Sequence, residues 1–237
     1  MAENIFTWCG HSAFRVETTE GRTLYIDPFL SANPSCPPEL RQVERCDIIA
    51  ITHGHADHLG DTYAIYREHR PVVISIFDLC PLLQKNGVSP DDCRGMNIGG
   101  TVEVHGIKFM QTPAMHSGSA DDNGITIYGG APTGYVVELE DGFRFYHSGD
   151  TWVMKDMELI GELFRPQVAM LPIGGHFTMD PAAAVLAAKM LRVECVIPMH
   201  YATFPILKGD PAELAEKLDG SGIKVMEVLP GMPFSLP

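Results

Sequence analysis

The chain has 237 residues, 45% hydrophobic and 20% charged, an ordinary globular composition. That length can bury roughly 70 to 75% of the unfolded surface in one substantial core. Seventeen basic against thirty acidic residues leave a net charge of −13 with no Lys/Arg cluster, which weighs against nucleic acid as a partner, since such binding needs a basic stripe that releases counterions.

No apolar run approaches the 18 residues of a membrane span, and Met1-Ala2-Glu3-Asn4 has no basic region followed by an apolar one. The six cysteines (Cys9, Cys36, Cys46, Cys80, Cys93, Cys195) are scattered and form no C-x-x-C pair. The expectation is a cytoplasmic protein with free thiols, no structural thiolate zinc and no membrane partner.

In chain order, short apolar and alternating segments predict strands near residues 4–8, 13–17, 23–27 and 47–51. Gly10 and His11 fall where a turn should join the first two strands. The Pro-rich stretch 33–38 reads as an ordered loop near the mouth of a site or, equally, as a surface excursion. A helix is expected after Leu59, a strand near 72–76, a helix near 79–85, and strands near 101–104 and 107–111. The second half predicts strands near 134–139 and 143–146, a helix near 155–162 and a strand near 168–171. Asp180 with Pro181, and Asp210 with Pro211 and Glu213, carry the N-cap and first-turn signals of two further helices. Strands at the front of each half suggest two face-to-face β-sheets with helices outside. The residues alone support an α/β or α+β fold in a single domain, 1–237.

The densest chemistry lies just past the apolar run 47–51, in Thr52-His53-Gly54-His55-Ala56-Asp57-His58. Ligands placed beyond the end of a buried strand sit on a loop that a rigid sheet positions. His53 and His55, spaced i and i+2, can point the same way from an extended segment, and Asp57 and His58 follow as the chain turns. One ion can take the first pair and a second ion the next, so the cluster reads as a two-metal site.

This H-x-H-x-D-H run resembles the signature of the metallo-β-lactamase superfamily, which directs attention to three later positions. His116 ends Thr112-Pro113-Ala114-Met115-His116, Asp150 closes residues 143–150, and His200 ends Val196-Ile197-Pro198-Met199-His200. Each lies just past an apolar or alternating stretch, where a lone His or Asp is more often a turn or capping residue. Gly10-His11-Ser12, Asp27 in Tyr25-Ile26-Asp27-Pro28-Phe29, Gly149-Asp150-Thr151, residues 171–179 and Ile197-Pro198-Met199-His200-Tyr201 look like the bacterial and archaeal metal-dependent hydrolase branch. That branch is related to the L-ascorbate-6-phosphate lactonase group and more distantly to the N-acyl phosphatidylethanolamine phospholipase D group.

The resemblance implies an αβ/βα four-layer sandwich. It assigns His53, His55 and His116 to one ion and Asp57, His58 and His200 to the other, with Asp150 bridging. Asp27 would act as the carboxylate that fixes a ligand histidine, its plainer reading being a Pro-adjacent turn residue.

Imidazole and carboxylate donors without thiolate suit two divalent ions, Zn or Mn foremost, with Ni, Fe or Co as further possibilities. Two ions roughly 3.5 to 4 Å apart would share a water and hold hydroxide near neutral pH. Asp57 would orient that water and take its proton. His176, in the Gly174-Gly175-His176 turn, and His11 are candidate substrate contacts or proton donors, each weighed against a simple turn residue. His147 could face either way, and His69 and His105 read as surface residues.

The function expected is hydrolysis of a small ester, lactone or related metabolite, with a small-molecule partner and, judged from relatives, a homo-oligomeric assembly. A phosphodiesterase of phospholipase or nucleotide type is the alternative, and it would need a basic or apolar access surface that the sequence does not show. An oxygen-using iron protein is less favoured, because di-iron relatives usually carry Glu at the position of His55.

Overall fold

The computed structural model describes residues 3–236. The first half runs β1 (Ile5–Trp8), β2 (Phe14–Glu17), β3 (Thr23–Ile26), β4 (Ile48–Ala50), α1 (Ala56–Leu59), α2 (Thr62–His69), β5 (Val72–Ile76), α3 (Cys80–Lys85), β6 (Cys93–Met96), β7 (Thr101–Val104) and β8 (Ile107–Pro113). It continues with β9 (Ser119–Asp122), β10 (Ile125–Tyr128), β11 (Thr133–Glu138), β12 (Arg144–His147), α4 (Asp156–Phe164), β13 (Val168–Pro172), α5 (Pro181–Leu191), β14 (Cys195–Met199), α6 (Pro211–Leu218), β15 (Lys224–Val225) and β16 (Pro233–Phe234).

Two seven-stranded mixed sheets result, ordered β16-β1-β2-β3-β4-β5-β6 and β15-β14-β13-β12-β11-β8-β7. In the first, pairing is antiparallel as far as β3 and parallel from β3 to β6. In the second it is parallel from β12 to β15.

Alternation along the strands explains the layering. Ile48 and Ala50 face the core between the sheets, while Ile49 and Ile51 face the outer cluster that Ile65, Tyr66, Leu82 and Leu83 of α2 and α3 complete. Val168 and Met170 likewise point inward, and Ala169 and Leu171 meet α4, α5 and α6 outside. Phe6 and Phe145 join the two sheets through an edge-to-face contact with centroids 5.3 Å apart. The expected two-sheet α/β architecture with outer helices is the one observed. Both helix caps also form, Asp180 accepting from Ala183 N at 2.8 Å and Asp210 from Ala212 N at 2.9 Å.

The sequence reading passed over β6, β15, β16 and the separate β9–β10 hairpin. β6 carries Arg94 and exposed Gly95, which break the alternation, and the other two are two-residue edge strands. The hairpin did have a signal, since Asn123 and Gly124, both at positive φ, form its turn. The Pro-rich loop packs behind the first turn: a Cβ on Gly10 would lie 2.9 Å from Ser35 Cβ, and Asn33 donates to Phe29 O. Among the described residues, no helix is long and apolar enough to cross a membrane and all six cysteines are free thiols.

Candidate metal centre

Every candidate ligand lies in a segment that leaves a strand at its carboxyl end, Asp57 and His58 in the short helix α1 and the others on loops, and these segments of both sheets open on one rim. Asp27 follows β3, residues 52–58 follow β4, Asp150 follows β12 and His200 follows β14. Asp27, His11 and His200 hold left-handed backbone, with φ of 48°, 55° and 55°. Non-glycine residues take that conformation only where their surroundings impose it. His11 O is one such constraint, accepting from both His200 N and Trp8 Nε1 at 2.9 Å. The sheets are stitched directly beneath the site, where Thr133 donates its N–H and its hydroxyl to Thr52 O. Gly149, at φ 59°, leaves space for that contact, because a Cβ there would lie 2.5 Å from Thr133 O.

His53, His55 and His116 offer ring nitrogens within 4.8 Å of one another, His53 Nε2 and His55 Nδ1 being 2.9 Å apart. A second group with the same spacing is His11, Asp57, His58 and His200, and a third is His53, His58 and Asp150. Asp150 Oδ2 lies among them, 3.0 Å from His200 Nε2, 3.3 Å from His58 Nε2 and 3.7 Å from His116 Nε2. Behind His58, the buried Asp27 carboxylate accepts from His58 Nδ1 at 2.7 Å and from Thr52 N and Oγ1 at 2.8 and 2.6 Å. With Nδ1 committed to Asp27, His58 turns Nε2 toward Asp150.

The residues present fit a metal. His58 Nε2, Asp150 Oδ1, His11 Nδ1 and His200 Nδ1 are buried without a hydrogen bond, an arrangement that is costly unless something coordinates or bridges them. The field also favours a cation there. Burial opposes charge on His58, yet Asp150 and Asp27 outweigh it and hold its pKa well above the ordinary imidazole value. Burial holds His53 well below that value and lowers His55 and His116 as well, which leaves neutral rings with lone pairs to donate. Asp150, despite burial, is kept well below the carboxylate range by His200 and His58.

His11, a candidate substrate contact from the sequence, adjoins this group. It is fully buried beside it, its ring 3.9 Å from that of His200 and its Nε2 3.2 Å from Asp57 Oδ2. Burial lowers its pKa to about 4, so a neutral ring donates to Asp57. Burial pushes the Asp57 carboxyl up, but the His11 hydrogen bond and the His58 charge outweigh it and hold that carboxyl well below its usual range.

His176 is exposed and lines a separate cavity of about 440 Å³ with Asp180, Lys208 and Glu213. Its neighbour Phe177 lines the metal pocket of about 280 Å³, together with His55, Asp57, His116, Ser117, Asp150 and His200. The sequence reading missed Phe177 and Ser117, whose Oγ lies 3.3 Å from His55 Nε2; adjacency to His176 and His116 was their only sequence signal. His147 is fully buried and joins Ser12 O at 2.9 Å, a link between the sheets. His69 is half-buried against Val43 O, not solvated, and His105 is exposed.

The sequence family described as "Beta-lactamase superfamily domain" matches residues 22–201, three quarters of the chain. The chain belongs to the metallo-β-lactamase superfamily. Within it, the chain is 43% identical to the UPF0173 metal-dependent hydrolase of Roseiflexus sp. (strain RS-1) over 98% of each protein. It is 44% identical to the protein of that name from Methanosarcina mazei over the whole of both. Its structure superposes on Igni18, a metallo hydrolase from Ignicoccus hospitalis KIN4/I, with a TM-score of 0.87 at 38% identity, covering 100% of this chain and 99% of that one.

Proposed function

We propose that this metal-dependent hydrolase of the metallo-β-lactamase superfamily holds two divalent ions and cleaves a small carboxylic ester or lactone. The observation that carries the reading is the approach of two adjoining groups of His and Asp side chains to Asp150, where Asp150 Oδ1 and His58 Nε2 are buried without a partner. His53, His55 and His116 would hold one ion and Asp57, His58 and His200 the other, with Asp150 between them and His11 against the second. Nitrogen and oxygen donors without thiolate favour zinc or manganese. Bound metal would supply an acidified water and polarise the attacked carbonyl.

The protein's own part is orientation. Asp57 is one third exposed at the pocket and stays ionised through the neutral range, so it accepts a hydrogen bond from the attacking water and aligns it. A carboxylate held so low is a poor proton store, which favours release of the proton to solvent over retention on Asp57. His11 fixes Asp57 from behind, and Asp27 fixes His58. The pocket volume and the −13 net charge support a small-molecule substrate over a polyanion.

Metal-reconstituted protein assayed on lactones, p-nitrophenyl esters and bis(p-nitrophenyl) phosphate tests this. Turnover of esters or lactones that a chelator abolishes is expected. Turnover of the phosphodiester alone would favour the nuclease or phospholipase type, and oxygen consumption without hydrolysis would favour iron redox chemistry.

A further inference from the structure

The loops that carry the ligands also expose large apolar side chains. Met115, 58% exposed, precedes His116, and Trp152, 49% exposed, follows Asp150 by two residues. Phe204 follows His200 by four residues and sets its ring 5.7 Å from that of His11. Phe177 is 56% exposed and also lines the metal pocket.

Backbone bonds make these loops one rim. Trp152 N donates to Met115 O at 3.0 Å, Met115 N to Thr151 Oγ1 at 2.9 Å, Met179 N to Thr151 O at 3.2 Å, and Lys208 N to Gly174 O at 3.0 Å. Phe177 lines the metal pocket itself, and large apolar side chains carried on one hydrogen-bonded set of loops, rather than scattered singly, mark a contact surface. No Lys or Arg is among the residues that line the metal pocket, so no basic side chain is there to pair with an anionic substituent.

We propose that this rim is the subsite for an uncharged alkyl or aryl chain of the substrate. The substrate class is then a medium-chain or aryl ester or lactone, not a sugar phosphate. The proposal rests on the hydrolase reading above for the chemistry at the metals, but the rim can be tested without turnover. Phe177 is the argument for substrate as the occupant: the same ring faces the pocket and the solvent, so a molecule seated at the ligands leaves across it. A fully buried methylene is worth about fourfold in affinity, and on a half-open rim about twofold each is expected.

Binding is read from Trp152 emission in metal-loaded protein, titrated with the N-methylamides of butanoic and octanoic acid and with an octanoyl amide ending in a carboxylate. A Trp152→Phe control removes the response, since the other tryptophan, Trp8, is buried. The octanoyl amide should bind at least about tenfold tighter than the butanoyl one, the terminal carboxylate should erase the gain, and Phe177→Ser should lower octanoyl affinity about fivefold while Phe177→Leu keeps most of it. Equal affinities, or indifference to the terminal charge, overturn the proposal. So does a stable oligomer in which acrylamide cannot quench Trp152, because the rim would then be a subunit contact. Chain-length-dependent binding without turnover of any p-nitrophenyl ester would support the subsite and count against ester chemistry at the metals. Turnover that is flat from acetate to decanoate would do the reverse.

Discussion

At the scale of single residues, the centre depends on two carboxylates that do different jobs. Asp150 Oδ2 approaches His116 of one group and His58 and His200 of the other, so in the proposed two-ion centre its removal would affect both positions. Asp150→Ala should reduce metal content from about two ions per chain to one or fewer by elemental analysis, and undiminished content would refute the bridging role. Asp27 is not among the residues that line the metal pocket, yet it is the acceptor for His58 Nδ1 and for Thr52. Asp27→Asn keeps the shape but loses the charge, and metal affinity by chelator competition should fall about 10- to 100-fold. An unchanged affinity would reduce Asp27 to a turn residue. Both positions were legible in the sequence, since a family motif names them. The place of His11 was not: whether a histidine in a hairpin turn hangs over a site or lies buried in it depends on its left-handed backbone and on the loop 33–38 packed behind, neither of which is a local signal.

At the scale of elements, the far ends of the strands are held together by Asp47. Its carboxylate accepts from Thr23 N at 2.8 Å, Arg45 Nε at 3.0 Å and Arg22 Nη1 at 3.3 Å, while its backbone pairs with Thr23 and its carbonyl accepts from Val72 N. β3, β4 and β5 therefore start in register. Burial pushes the Asp47 carboxyl up, but Arg45, the Thr23 N–H and Arg22 outweigh it and hold its pKa below the ordinary value. The unfolded chain then binds the proton more readily than the folded one. Its stabilisation is present in full above the unfolded carboxylate pKa and is lost as pH falls through the folded one. Asp47→Asn should cost about 1 kcal/mol at pH 7 in urea unfolding, with the difference from the parent shrinking below about pH 4. A difference that persists unchanged in acid would refute the charge argument. The central strands were readable because burial on both faces demands continuous apolar residues, as at Ile48 to Ile51. β15 and β16 were not, because a two-residue edge strand is defined by its neighbour and not by its own composition.

At the scale of the whole molecule, stacking the two sheets is what assembles the site. His53, His55 and His58 come from the first sheet and His116, Asp150 and His200 from the second, so a bound ion joins the halves across the core. Removing one ion supplied at about a hundred times its Kd should lower the melting temperature by about 5 to 10 °C, since about 1 kcal/mol corresponds to 2 to 4 °C in a chain this size, and removing two should lower it by about twice that. The shift should return on readdition in proportion to the logarithm of metal concentration. A melting curve indifferent to chelation would mean that the cluster holds no ion in the folded protein. The sequence by itself determined the family, the two-sheet α/β class and the donor types, because strand alternation and a seven-residue ligand cluster are local properties of the chain. Tertiary structure alone decided that His11 is buried against Asp57, that Phe177 and not His176 faces the metal pocket, and that the loops of Met115, Trp152 and Phe177 are bonded to one another. Those relations join residues as far apart as His55 and Phe177 in the chain, and only the packing of one sheet's loops against the other's fixes them.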